Sequence, residues 1–315
     1  MAAIGFRTAG PAPGDPSPGG HGLARPLAGL GIDWAHGAEP VTSGSVTHPG
    51  YTHGCLAYDD PATLRALAVA QVTAGLAAGE QVWVVCPEDR ATVTGWLASV
   101  PGIDAARRRD ALRLVPVGEA YRHGEVVDPE RQVRAYVRAT TEALTAGHTG
   151  LRVLAEATSL VRTTAQRDAF ARYEHRIDHW MRHRPMSAVC AYDRRQLDDA
   201  AIAELACLHP ETNADVLFRL HAGGGDSVVA LAGELDPSNH RDFAAALERA
   251  DPRPVAGRLV FDAAELRFVD HRSLLHLRDH ARRHDAVAVL RTPSRAPARL
   301  VDLLGLSEVR VEVVR

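Results

Sequence analysis

The chain has 315 residues, 46% of them hydrophobic and 24% charged, with a formal net charge of −3. That length suits two domains, each with its own core, and the composition excludes a disordered chain. The charge balance gives no reason to expect nucleic acid or an anionic membrane as partner. All 36 basic residues are arginine, which removes a P-loop lysine, a Schiff-base lysine and a lysine general base from the available chemistry.

Residues 1–44 are rich in Gly, Pro, Ala and Ser without apolar periodicity, and read as a flexible segment. They carry no apolar stretch of secretory type, and no run in the chain reaches the ~18 apolar residues of a spanning helix, so a cytoplasmic protein is expected. From residue 45 short apolar runs alternate with amphipathic segments. Strands are predicted at 54–58, 81–86, 111–117, 151–155 and 186–192. Between them fall helices that begin after Asp60-Pro61 and near Arg90, a helix over 129–146, and one whose apolar face is Phe170, Tyr173, Ile177, Trp180 and Met181. A last helix is predicted near 200–208. Unbroken apolar strands alternating with helices predict an α/β domain over 45–212, a mostly parallel sheet covered on both faces.

Past Pro210 the pattern changes. Strands at 216–221 and 227–232 flank the turn AGGGD as a hairpin. A helix (240–249), strand (258–262), helix (273–284), strand (286–291), helix (295–304) and strand (308–313) complete a compact mixed sheet over 213–315.

In open α/β sheets ligands gather beyond the carboxyl ends of the strands. Those ends here carry Tyr58, Asp59, Glu88, Glu156, Tyr192 and Asp193, a carboxylate-rich set suited to a small polar or cationic ligand. Helix capping and solvation are the plainer roles for the same residues. Cys55, Cys86, Cys190 and Cys207 lack close-spaced zinc-type partners, so reduced, buried thiols are expected. His276, His280 and His284 recur every four residues and are expected to point outward from a face defined by Leu274, Leu277 and Ala281. No catalytic residue, cofactor or metal is expected.

LAGELD (231–236), LVFDAAELRFVDHRSL (259–274) and LVDLLGL (300–306) together resemble the STAS domain of anti-sigma-factor antagonists. HPGYTHGCLAYDD (48–60), GLAAGEQVWVVCPE (75–88), LRVLAEAT (151–158), ARYEHRIDHW (171–180), MSAVCAYDRRQL (186–197) and LACLHP (205–210) resemble the MEDS sensory domain. The latter family implies a RecA-like fold that lacks a P-loop. The loop YDDPATLR agrees, because Asp59 and Asp60 would repel phosphate where a P-loop needs glycine and Lys-Ser/Thr, and nucleotide hydrolysis is not expected. The family pattern also favours a histidine at His53, which opens the first strand and joins the candidate ligand set on that basis.

The STAS resemblance implies a partner-binding segment around Asp236, Asp270, His271, Arg272 and Ser273. Where the family usually reads Asp-Ser-Ser-Gly, this chain has Asp270-His271-Arg272-Ser273, so the phosphoacceptor position is a histidine and the usual phosphoswitch is not expected. Together the resemblances imply a sensor-regulator whose partner is an anti-sigma factor or a serine-kinase switch protein, with a small-molecule ligand and no nucleic acid or membrane. A scaffold subunit that senses nothing is the alternative, homo-oligomerisation is left open, and an enzyme is the least favoured reading.

Overall fold

The computed structural model describes residues 51–121, 126–226 and 228–314; the expected flexible segment 1–44 lies outside them. Six strands, β1 (His53–Tyr58), β2 (Gln81–Cys86), β3 (Leu112–Pro116), β4 (Leu151–Glu156), β5 (Met186–Asp193) and β6 (Glu211–Thr212), form one sheet in the order β3-β2-β4-β5-β1-β6. Every neighbouring pair is parallel. The central strands are buried on both faces, which is why their sequences are apolar without alternation.

One face carries Leu56, Val82, Val84 and Leu154 against α1 (Pro61–Ala77), α2 (Arg90–Trp96) and α3 (Ile103–Arg108). The other carries Cys55, Trp83, Val153, Cys190 and Tyr192. Against it pack α5 (Pro129–Thr145), α6 (Thr164–Met181) and α7 (Asp199–Ala206), while α4 (Val117–Ala120) is a single turn after β3. The helix starts follow from local chemistry: Asp60, Asp128 and Asp198 each accept a backbone N–H as N-cap, and Pro61 and Pro129 occupy the first turn. Thr163 and Gln166 start α6 with a reciprocal capping box.

The second domain is a mixed sheet. Strand β8 (Val229–Leu235) pairs antiparallel with β7 (Phe218–Ala222) on one side. On its other side it pairs parallel with β9 (Arg258–Asp262) and then β10 (Leu266–Val269). β11 (Val287–Thr292) and β12 (Val309–Val313) extend the sheet beyond β9, with α8 (His240–Ala250), α9 (His271–Arg283) and α10 (Ala296–Leu304) as its helices. Gly233 sits at φ +89° where β8 passes closest to β7; a Cβ there would lie 2.2 Å from the Leu217 carbonyl oxygen. Phe243, Phe261, Leu274, Leu277 and Leu290 fill the core.

The seam between the domains is made by α6 and the segment after α7. Half of the residues of α6 are buried, on more than one side, because the helix packs on the first sheet with Phe170, Tyr173, Ile177 and Met181 while Ala171 enters the core of the second domain. The outer edge of β7 is satisfied across this seam. Leu220 N–H donates to the Cys207 carbonyl at 2.6 Å, Ala222 N–H to Asp178 Oδ2 at 2.6 Å, and Arg182 donates to the Ala222 carbonyl at 3.1 Å. Arg249 of α8 adds a bond to Asp168 of α6 at 2.6 Å.

One expectation about α9 is corrected. His280 is buried and contacts the Pro252 carbonyl through Nε2 at 3.2 Å. His284 Nε2 donates to Asp251 Oδ1 at 3.1 Å, and His276 stacks on His240 with ring centroids 5.7 Å apart. These histidines turn inward because α8 and the turn after it cover that side of α9, extending its buried face beyond Leu274, Leu277 and Ala281.

Candidate functional site

Of the expected ligand residues, Tyr58, Glu88, Glu156 and Asp193 gather at the carboxyl edge of the first sheet. Glu156 ends β4 and is buried; it accepts from the Tyr58 hydroxyl at 3.2 Å and from Thr158 Oγ1. Burial pushes its carboxyl upward, against the hydrogen bonds from Thr158 and Tyr58. Glu88 brings a second carboxylate whose Oε2 is buried without a hydrogen-bond partner among the described residues. Asp193 is already saturated: Arg195 donates from Nε at 2.9 Å and Nη2 at 2.8 Å, and Gln196 from Nε2 at 2.8 Å. The Arg195 bonds foremost hold it down at about 2, and these contacts tie it to the loop after β5. Asp59 is exposed, and Asp60 caps α1 through Ala62 N–H at 2.8 Å. A carboxylate therefore fills the helix N-terminus at which a P-loop would hold phosphate.

His53 and Tyr192 lie elsewhere. Both face the other side of the sheet, because alternate residues of β1 and β5 point in opposite directions, and with α6 they form a second constellation that is wholly buried. His53 sits between two carboxylates of α6, Nδ1 2.9 Å from Asp178 Oδ1 and Nε2 2.8 Å from Glu174 Oε2. The Tyr51 hydroxyl also donates to Asp178 Oδ1. Cys190 Sγ donates to Glu174 Oε1 at 3.3 Å. His209, from the segment after α7, lies against His53 with tilted rings whose centroids are 4.4 Å apart, and its Nε2 lies 3.6 Å from Glu174 Oε2. Burial alone would lower the His53 imidazolium, but Asp178 and Glu174 outweigh it and raise the group far above its ordinary value. In return both carboxyls stay below the usual range although burial opposes this.

Sequence reasoning missed Glu174, Asp178 and His209, and set Cys190 aside as a plain buried thiol. A signal existed. Glu174 and Asp178 are one turn apart on α6 and interleave with Phe170, Ile177 and Met181, so two acids share the face that must be buried.

In the second domain Asp236, Asp270 and His271 lie at one end of the sheet, where Asp270 N–H donates to the Leu235 carbonyl at 2.8 Å. Asp270 caps α9 by accepting from Ser273 N–H at 2.8 Å. His271 and Arg272 are exposed, whereas Ser273 is fully buried. A groove beside them is lined by Pro237, Phe268, Val269, His271, Pro297 and Leu300, with Phe268 51% exposed.

The fold and these sites define a two-domain regulatory architecture: a parallel-sheet domain without a phosphate-binding loop, joined to a small mixed-sheet domain that presents an apolar groove. Residues 52–210 match the family described as MEDS, the MEthanogen/methylotroph, DcmR Sensory domain, and residues 218–314 match the family described as Mlab, STAS domain. The first match spans half of the chain, and the chain belongs to the MEDS family. No curated protein matches it. Both domains are of signalling and regulatory families, and no helix among the described residues is long and apolar enough to cross a membrane.

Proposed function

We propose that the first domain binds a small polar or cationic ligand at the carboxyl edge of its sheet and thereby controls a protein contact of the second domain. Glu88 and Glu156 supply acceptors in a partly dry setting, where a ligand's N–H or cationic group gains more than it would in water. The observation that carries the reading is α6, which lies between the domains. Asp178 holds His53 of β1 through one oxygen and Ala222 of β7 through the other, and the turn at Thr158, bonded to both Glu156 and Asp193 N–H, leads directly into this helix. A ligand that shifts Glu156 therefore has a packed, hydrogen-bonded route to the second sheet.

The partner surface is the groove beside Phe268 and Leu300 with Asp236, Asp270, His271 and Arg272 at its rim, fitted to an anti-sigma factor or a switch kinase. The role of the first site in this reading is recognition. The test combines native mass spectrometry of the chain purified from its source with capture of partners by wild type and Glu156→Gln. A bound small molecule lost in the variant, together with altered capture, supports the reading. Equal capture by both proteins with no small molecule would make the chain a scaffold.

A further inference from the structure

The buried constellation on the other face of the sheet is not used by the ligand site above, and its hydrogen bonding does not close. The His209 Nδ1 faces the Leu205 carbonyl at 3.0 Å, and a carbonyl only accepts, so the proton belongs on Nδ1. With Nδ1 held on that carbonyl, His209 Nε2 faces a Glu174 carboxylate oxygen 3.6 Å away, beyond ordinary hydrogen-bond length. That nitrogen is fully buried and has no hydrogen-bond partner among the described residues.

His53 repeats the arrangement. Its Nδ1 is held on Asp178, and its Nε2 meets the same Glu174 oxygen. Two imidazoles thus have their outer nitrogens fixed by an aspartate and a backbone carbonyl, and their inner nitrogens aimed at one point. This is the outer-shell arrangement that orients histidine ligands on a metal.

The geometry points to a resident divalent transition metal of the zinc class, held by His53 Nε2, Glu174, Cys190 Sγ and His209 Nε2. The four ligand atoms lie within 4.8 Å of one another. Ligands about 2.0–2.3 Å from zinc stand roughly 3.3–3.8 Å apart in a tetrahedron, so the widest pairs close by about 1 Å while the 2.8 Å His53–Glu174 contact opens by about 0.5 Å to complete the sphere. Two nitrogens, one sulfur and one carboxylate are a four-coordinate zinc set, and four protein ligands leave no open position for catalysis. Binding releases the Cys190 thiol proton and any proton on His53 Nε2, and the cation then takes over the charge balance of Glu174 and Asp178.

The alternative metal grouping, Asp251, His280 and His284, carries no such claim. Arg283 contacts His280 Nδ1 at 3.1 Å and Arg253 contacts His284 Nδ1 at 3.2 Å, so two guanidinium groups supply the positive charge there. The proposal departs from the expectation from sequence that no metal is bound. Its regulatory consequence, that metal occupancy sets the position of α6, rests on the sensor reading; the binding itself does not.

Because the ligands are buried, loading must accompany folding or opening. The full chain is therefore produced in cell culture supplemented with cobalt or zinc, dialysed against a mild chelator, and measured for metal content and optical absorption. The expected result is one equivalent of metal per chain, with tetrahedral cobalt bands and a thiolate-to-cobalt charge-transfer band. Cys190→Ala should abolish the charge-transfer band, and His209→Gln should weaken retention at least tenfold, while Cys207→Ser leaves both unchanged. Should His209→Gln fail to fold, the Cys190→Ala spectrum alone decides. Absence of stoichiometric metal, or a charge-transfer band that survives Cys190→Ala, would overturn the inference and establish a proton-only network. Neither result touches the Glu156 capture experiment, so the two readings fail separately.

Discussion

Asp178→Asn probes the buried junction most directly. The side chain is fully buried and meets the Tyr51 hydroxyl, His53 Nδ1 at 2.9 Å and Ala222 N–H at 2.6 Å. An amide keeps one oxygen; with that oxygen on Ala222 N–H, its NH2 group turns toward the Tyr51 hydroxyl and His53 Nδ1, and the charge facing His53 disappears. Removing one member of a buried ion pair costs about 3–5 kcal/mol, because the other is left uncompensated. The bond to Ala222 loses only its charge assistance, about 1 kcal/mol. Urea denaturation of wild type, Asp178→Asn, His53→Gln and the double variant forms a cycle that separates these contributions. The double variant should be more stable than the two single losses added together, with a coupling of about 2 kcal/mol. A single-variant loss below about 1 kcal/mol, or additivity within about 0.5 kcal/mol, would refute the claim that His53 and Asp178 act as a charged unit.

Three further outcomes are expected. A serine kinase of the switch type should leave residues 262–278 unphosphorylated, since His271 stands at the acceptor position and Ser273 is fully buried; peptide mass spectrometry showing stoichiometric phosphate on Ser273 would contradict this. Gly233→Ala should cost at least about 2 kcal/mol by thermal unfolding, because positive φ and contact with a backbone oxygen leave the added methyl no relief. His175 is pushed down to about 4, burial being the main cause, so between pH 6.5 and 4 the unfolded chain takes up a proton that the folded chain refuses. Stability should fall across that window as pH drops, by at most about 3 kcal/mol from this group. His175→Gln should flatten the slope, and an unchanged slope would mean that His175 is protonated in the fold.

Much of the fold is legible where local pattern and tertiary demand agree. The QVWVVC run becomes β2 at Gln81–Cys86 and the RLVFD run becomes β9 at Arg258–Asp262 with their predicted ends, because an unbroken apolar run between turn residues has few other uses. β10 is not legible: Arg267 and Phe268 at its centre are exposed, and it exists only because a bulge lets it continue along β8. β6, two residues long, depends likewise on β1 for its identity.

The site divides the same way. Strand-end carboxylates such as Glu156 can be read from topology alone. The His53–Asp178 contact joins residues 125 positions apart, and His209 enters from beyond α7, so no local window holds the constellation. What a single window does hold is the pair of acids on the apolar face of α6, a conflict between pattern and chemistry of the kind that marks functional sites.

The way β7 is finished also bears on how this chain can be dissected. An edge strand with unpaired backbone groups invites pairing with any other strand it meets, and proteins ordinarily guard such edges with charge, proline or a covering element. Here the guard belongs to the neighbouring domain: Cys207 and Asp178 accept the outward amides of Leu220 and Ala222. Expressed without the first domain, the small sheet would expose an adhesive margin, and self-association of the fragment would reflect the cut rather than a natural partner. The two domains are separable as patterns of sequence, but as folded objects they are one.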